Sequence, residues 1–189
     1  MEYIKGDLIE MVKDGVFDVI VHGCNCYNCF GAGIAKQIKK EFPEAYEADK
    51  KTKNGAIEKL GDYTYAVAKN GVVIINAYTQ YRYGTDKMHV NYIAVRNCMK
   101  KIVRDFNKNG MVLYVGLPKI GAGLAGGNWD VIENIIKEEL DPKKMDELKT
   151  FTSVEVEFKG TFGFEQNDLT DAVLTADDLL PFYKVGILK

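Results

Sequence analysis

Residues 31–35 read Gly31-Ala32-Gly33-Ile34-Ala35, and residues 121–127 read Gly121-Ala122-Gly123-Leu124-Ala125-Gly126-Gly127. Each of these glycine-rich turns follows an apolar, strand-like run and precedes a helix-like stretch. The start of a helix has backbone N–H groups without internal partners and carries partial positive charge, and glycine lets a ligand approach the chain closely. Two such turns predict one anion site in which main-chain amides of both loops hold a diphosphate.

The rest of the chain alternates apolar strands with amphipathic helices. We predict strands near Tyr3-Ile4 and at 17–21, 63–68, 72–76, 112–116 and 154–158, and helices at 32–42, 88–107 and 129–140, with a further short helix around 176–180. This alternation is typical of an α/β fold with a mixed, mostly parallel sheet covered on both faces. Asn70-Gly71 predicts a tight hairpin, so one strand pair is antiparallel. Both glycine turns are expected beyond the carboxyl ends of strands, where such folds bind ligands.

Length and composition restrict the class of protein. The chain has 189 residues, 47% of them hydrophobic, which is enough for one domain with its own core. It lacks an apolar run of membrane-spanning length and a signal-peptide pattern at its start, so we expect a cytoplasmic protein with no membrane partner. The net charge of −2 argues against a direct nucleic-acid surface. Residues 150–189 hold 3 basic and 7 acidic residues, and we predict a main domain at 1–159 followed by an acidic extension at 160–189.

The four cysteines are Cys24, Cys26, Cys29 and Cys98. The first three are spaced like part of a zinc site, but a fourth ligand at suitable spacing is missing, so we expect neither a metal nor a cofactor and interpret them as small hydrophobic residues. Cys98 and Arg104 have the spacing of cysteine phosphatases, but they fall within a helix pattern rather than a phosphate loop. Cys98 is therefore predicted to lie in the helix core.

Other common motifs are absent or incomplete. Lys36 occupies the third glycine position of a dinucleotide-binding pattern, no Gly-Lys pair exists for a P-loop, and Ser153 is the only serine. His89 is most simply an exposed or capping residue. His22 ends an apolar strand just before the first glycine turn, so its imidazole could reach the anion site, or it could be a hydrogen-bonded histidine that fixes the loop.

Several segments, in order along about residues 3–158, resemble a macro domain of the ADP-ribose 1″-phosphate phosphatase-like branch. They are Ile4-Lys5-Gly6-Asp7-Leu8-Ile9, Val19-Ile20-Val21-His22-Gly23-Cys24-Asn25-Cys26, Ile75-Asn76-Ala77-Tyr78-Thr79-Gln80, Leu117-Pro118-Lys119-Ile120 and the two glycine turns. The resemblance implies a three-layer α/β/α fold with a cleft for ADP-ribose or ADP-ribose 1″-phosphate. It leaves any protein partner unknown.

The resemblance also implies roles for individual residues. Asp7 would accept a hydrogen bond from the adenine amino group beside the Leu8 backbone, and Asn25 would bind the distal ribose. Asp7 could instead cap a turn, and Asn25 could brace its own loop. Phe158 would stack on adenine or belong to the core. The diphosphate and distal ribose would lie against the two loops, at Gly31, Ala32, Gly33, Ile34, Gly121, Ala122, Gly123 and Leu124.

The implied reaction is hydrolysis of ADP-ribose 1″-phosphate, with His22 as the candidate base or acid. Asn128 stands where members of the branch often carry Asp; it is taken as the second catalytic position, although an amide cannot accept a proton. A non-catalytic ADP-ribose-binding module is therefore an alternative. Another alternative is an ADP-ribosyl hydrolase acting on modified macromolecules, although the Lys and Asp of the glutamate-specific enzymes correspond here to Gln80 and Ala125.

Overall fold

The computed structural model describes residues 3–106 and 114–140. The helices are α1 (Leu8–Lys13), α2 (Gly33–Glu41), α3 (Pro43–Lys50), α4 (Tyr92–Phe106) and α5 (Trp129–Glu139), with one 3-10 turn at Ile57–Lys59. The strands are β1 (Val19–Asn25), β2 (Tyr63–Val67), β3 (Val73–Gln80) and β4 (Val115–Gly116).

These strands form one sheet in the order β2-β3-β1-β4. Strand β1 runs parallel to both β3 and β4, whereas β2 and β3 are antiparallel. The hairpin predicted at Asn70-Gly71 joins β2 to β3, and Gly71 has a φ of +86°, which glycine adopts readily. The predicted mixed and mostly parallel sheet is confirmed.

Helices cover both faces of the sheet. Because successive strand residues point to opposite faces, Ile20 and Ile74 pack on one side with residues of α1, α2 and α3. Val21 and Ile75 pack on the other side with residues of α4 and α5. The result is the three-layer α/β/α arrangement that the sequence predicted.

The structure corrects several element assignments. Tyr3 and Ile4 lie outside any strand, so that prediction is wrong. Helix α1 follows instead, because the Asp7 carboxylate caps it by accepting from the Ile9 and Glu10 amides at 2.8 and 3.2 Å. Pro43 ends α2 as expected but also begins α3, a position in which proline lacks no needed donor. Strands β1 and β3 run four residues further than predicted, to Asn25 and Gln80.

Two further predictions, the strand at 154–158 and the short helix around 176–180, lie outside the described residues, as does the acidic extension at 160–189. Within residues 3–106 and 114–140, none of the helices has the length and apolar character needed to cross a membrane.

Candidate functional site

The two glycine-rich turns leave the same edge of the sheet. Strand β1 leads into the first glycine loop (residues 26–33), which ends at the start of α2, and β4 leads into the second glycine loop (residues 117–128), which ends at α5. Because β1 and β4 are parallel neighbours, their carboxyl ends point to the same edge of the sheet. The structure therefore brings both loops to the edge where such sheets bind ligands.

The loops also approach each other directly. A Cβ atom placed on Gly33 would lie 3.7 Å from Cδ1 of Leu124. Below them, a Cβ on Gly23 would lie 3.8 Å from the backbone nitrogen of Gly121. Gly31, Ala32, Gly33, Gly123 and Leu124 are all exposed, and Ile34 is half-buried. The two loops thus approach each other at this edge of the sheet and both expose backbone there; the space between them is called the cleft below.

Main-chain donors line this cleft. Helix α2 begins at Gly33 with Ala32 as a cap that makes no side-chain bond, and the first helical donor is the Lys36 amide, which reaches the Ala32 carbonyl at 3.3 Å. The amides of Gly33, Ile34 and Ala35 precede that bond, so they have no partner inside the helix. These groups and the helix dipole favour an anion at this point.

Donors of the second glycine loop are partly used within the loop. The Ala122 amide donates to the Lys119 carbonyl at 3.2 Å, and the Gly127 amide donates to the Gly121 carbonyl at 2.8 Å. The expected donation from Ala122 to a diphosphate therefore conflicts with this geometry. Among the described residues, the amides of Gly121, Gly123 and Leu124 have no partner.

The segment after β3 holds the second glycine loop in place. The His89 and Val90 amides donate to the Ala125 carbonyl at 2.8 and 3.2 Å, and the His89 ring lies 2.8 Å from the Asp86 carboxylate. Gly121 has a φ of +71°, and a Cβ there would lie 2.6 Å from Cγ2 of Val90. A larger residue at position 121 would therefore displace the loop.

Asn128 lies where the second glycine loop enters α5. Its side chain caps the helix by accepting from the Asp130 amide at 2.8 Å, and its own amide donates to the Tyr92 hydroxyl at 3.0 Å. The Asn128 side chain thus has a structural role in this conformation.

His22 lies in the core rather than at the cleft. Its side chain is fully buried, Nε2 donates to Oδ1 of Asn76 at 2.7 Å, and its ring meets the edge of Phe30 at 5.3 Å between centroids. Burial lowers the pKa of His22 to about 4. This placement does not support the base or acid role expected from sequence, and it matches the alternative of a histidine that fixes the loop.

Asn25 and Asp7 both make local hydrogen bonds: Asn25 braces its own loop, and Asp7 caps a helix. Asn25 Oδ1 accepts from the Tyr27 and Cys29 amides at 2.9 and 3.3 Å, while Nδ2 donates to the Cys29 carbonyl at 2.8 Å. Asp7 caps α1 through Oδ1 alone, and its exposed side chain keeps Oδ2 for another donor. Leu8 is half-buried in the first turn of α1, and Phe158 lies outside the described residues.

The cysteines are all free, and Cys24, Cys26 and Cys98 are buried. Cys98 lies in the core of α4 as predicted, where its Sγ donates to the Asp62 carbonyl at 3.2 Å and burial raises the pKa of its thiol. In the part of the chain that the structure describes, no group of three or more His, Cys, Asp or Glu side chains is placed to hold a metal ion.

Sequence reasoning missed two features of this edge. Thr79, at the end of β3, has a buried hydroxyl without a partner among the described residues, and that oxygen is 2.9 Å from a Cβ placed on Gly23. The β1–β3 register shifts at this point, so Thr79 is an extra residue that no alternation pattern reveals. The other feature is a buried lysine, Lys59, which contacts the first glycine loop through Asn28.

Known proteins with similar sequences and folds include the following. The family model "Macro domain" matches residues 21–136. An uncharacterized 17.5 kDa protein of Enterobacteria phage T4 is 38% identical over 141 residues, 72% of this chain and 87% of the phage protein. An ADP-ribose 1″-phosphate phosphatase of Meyerozyma guilliermondii is 28% identical over 165 residues, 73% of this chain and 93% of that protein. The structure of Thermosipho africanus DarTG in complex with ADP-ribose is similar in fold, with a TM-score of 0.55 at 18% identity over 72% of this chain and 38% of that one.

Proposed function

The chain belongs to the macro domain family, which binds ADP-ribose, and we propose that it holds ADP-ribose 1″-phosphate between its two glycine loops and hydrolyses it to ADP-ribose and phosphate. The Meyerozyma guilliermondii relative carries the name of this activity. A cytoplasmic location, where a nucleotide substrate of this kind is at hand, is part of the same proposal.

One observation carries the binding part of the proposal, namely that the start of α2 lies beside the second glycine loop: a Cβ atom placed on Gly33 would be 3.7 Å from Cδ1 of Leu124. The unpaired amides at the start of α2 would then act together with those of Gly121, Gly123 and Leu124. Such a pair of donor sets suits a diphosphate, whose oxygens face both ways. The exposed backbone of Gly31 and Ala32 would extend the first of these sets.

With the diphosphate between the two loops, the adenine and the distal ribose would each contact residues named in the sequence analysis. Asp7 Oδ2 would accept from the adenine amino group, with the Leu8 backbone beside it. The distal ribose would lie against the loop that Asn25 braces, so Asn25 would act through loop shape and through the remaining hydrogen of its amide group.

Hydrolysis would require a water to attack phosphorus in line while the bond from phosphorus to the anomeric oxygen breaks, with one proton of the water ending on the departing anomeric oxygen. Cleft amides would stabilise the charge that develops on the phosphoryl oxygens. His22 is unsuited to moving a proton, because it is buried and its pKa is lowered to about 4. The side chain of Asn128 caps α5 and cannot accept a proton. The described cleft residues therefore provide charge stabilisation rather than proton transfer.

The lack of a proton-transfer group among the described cleft residues favours a second candidate function, an ADP-ribose-binding module without turnover. Both positions taken as catalytic are occupied by side chains with structural hydrogen bonds. Binding through main-chain amides would be unaffected by the loss of a catalytic base.

The two functions are separated by measuring phosphate release from ADP-ribose 1″-phosphate together with calorimetric binding of ADP-ribose. Gly33→Ala should weaken binding about tenfold, because φ of +55° disfavours alanine and the loop must shift. Gly15→Ala is the matched control. Gly15 also has a positive φ, +72°, but it follows the C-terminal end of α1, and a Cβ atom there would meet nothing within 4 Å.

Binding with phosphate release supports the phosphatase, and binding alone supports the module. Absence of binding by the wild-type protein would overturn both. If ADP-ribose binds but only ADP-ribosylated macromolecules are turned over, the hydrolase alternative replaces the phosphatase.

A further inference from the structure

Asn28 is the one non-glycine residue of the described chain with a positive φ, at +54°. It lies in the first glycine loop, three residues before Gly31. Asparagine adopts this left-handed conformation more readily than most residues other than glycine, and hydrogen bonds of its side chain stabilise it there. The side-chain contacts of Asn28 therefore identify what fixes the loop.

Those contacts come from a separate part of the chain. Asn28 Nδ2 donates to the Asp49 carbonyl and, at 3.2 Å, to the Thr52 hydroxyl. Asn28 Oδ1 accepts from Nζ of Lys59 at 2.9 Å. Both polar ends of the side chain are thus anchored to the last turn of α3 and to the segment that follows it.

The Lys59 ammonium is itself buried, with its side chain 7% exposed. Its Nζ lies 3.3 Å from Oδ1 of Asp49, a fully buried carboxylate, and 4.5 Å from the centre of the Tyr78 ring. Tyr78 also donates to Oδ1 of Asp49 at 2.7 Å. A buried charge pair is costly to desolvate, and an apolar pair of similar volume would often be no less stable. Stability alone therefore gives no reason for a lysine at this position.

The chain of contacts continues across the sheet. The Tyr78 hydroxyl lies 3.1 Å from the Thr64 hydroxyl, which accepts from Nδ2 of Asn76 at 3.0 Å, and Asn76 contacts His22. All of these side chains are buried, so Asn28 is connected to strands β2 and β3 through Lys59, Asp49 and Tyr78. The first glycine loop is thereby fixed relative to the sheet edge.

From these contacts we propose that Lys59 is a positioning residue for ligand binding. Acting through Asn28, it holds the first glycine loop in the conformation that presents the Gly33 and Ile34 amides to the cleft. The inference rests on the proposed function, because it concerns the affinity of that cleft for ADP-ribose. Lys59 itself does not touch the ligand.

The test is a double-mutant cycle with ADP-ribose affinity as its readout. Asn28→Gly removes the anchoring side chain, and glycine adopts a φ of +54° without strain. Lys59→Met removes the charge and keeps most of the length. Lys50→Met is the matched control, because Lys50 pairs with Glu47 on the surface of α3 and does not contact the loop.

Each single variant should weaken ADP-ribose binding about tenfold, and the double variant should be no weaker than about the poorer single variant, because both act through one contact. Lys50→Met should stay within about twofold of wild type. Multiplied losses in the double variant, or single variants within about twofold of wild type, would overturn the inference. If Lys59→Met does not fold, Asn28→Gly decides alone: weakened affinity of the folded protein supports the inference, and unchanged affinity overturns it.

ADP-ribose binding by the wild-type protein distinguishes failure of the proposed function from failure of the positioning role of Lys59. If it does not bind ADP-ribose, the proposed function is overturned and this inference with it. If it binds and the variants bind equally well, only the positioning role of Lys59 is overturned.

Discussion

Burial of His22 makes the fold sensitive to acid over a defined range. Its pKa falls from an ordinary value of 6.5 to about 4, because the ring is fully buried against Phe30 and Asn76. Between these two values the unfolded chain binds a proton at His22 that the folded protein excludes. The contribution of His22 is therefore present above pH 6.5 and is lost as the pH falls through that window toward 4.

The size of the loss follows from the two pKa values. At about pH 5 the unfolded state gains about 2 kcal/mol from this proton relative to about pH 7. We expect the wild-type free energy of unfolding to fall by that amount more than the free energy of His22→Gln. Glutamine can keep a hydrogen bond to Asn76 but does not titrate.

The assay is urea unfolding followed by circular dichroism at the two pH values. Titration of the other groups is common to both proteins and cancels in the difference. Equal pH dependence in wild type and His22→Gln would refute the reasoning, because it would mean that His22 can be protonated in the folded state. Folded His22→Gln should also keep phosphate release within about threefold of wild type, since a buried ring cannot serve the cleft.

Three further predictions concern single side chains. Asp7→Ser should leave the urea-derived free energy of unfolding within about 0.5 kcal/mol of wild type, since serine also caps helices. The same variant should weaken ADP-ribose binding in calorimetry, and unchanged affinity would remove Asp7 from the ligand site. Thr79→Val should raise the free energy of unfolding by about 1 kcal/mol, because it removes a buried hydroxyl that lacks a partner among the described residues; a fall of similar size would show that the hydroxyl is satisfied. Asn128→Ala should lower the melting temperature through the loss of about 1 kcal/mol of helix capping, and an unchanged melting temperature would contradict the cap.

The sequence was sufficient to indicate the four described strands and both glycine loops, because these depend on local patterns. Short apolar runs, as in β1 and β3, and the Asn70-Gly71 turn indicate buried strands and a hairpin. Helices α1 and α3 were missed because they are short, 6 and 8 residues, and depend on tertiary packing for stability. Pro43 was interpreted only as the end of one helix, although proline suits the first turn of the next.

Side-chain roles were harder to predict for a physical reason. Proximity to the end of a strand does not say which face a side chain takes. His22 shares the face of Ile20 and Cys24, which pack under α2 and α3, and that alternation was available in the sequence. Lys59 gave no such signal, because its contacts to Asn28 and Asp49 join residues 31 and 10 positions apart.

The predicted side-chain roles differ from the observed ones because polar side chains at this edge stabilise the loops, while main-chain N–H groups face the cleft. Asn25, Asn28 and Asn128 all use their amide groups to bond backbone atoms, and His22 bonds the Asn76 side chain of β3. The groups left to face the cleft are mostly peptide N–H donors, which do not titrate. The main-chain part of anion binding should therefore vary little with pH while the protein stays folded. Protonation of His22 in acid should add about 2 kcal/mol to the destabilisation of the fold. This acid sensitivity arises in the core, from a side chain that does not reach the proposed ligand site.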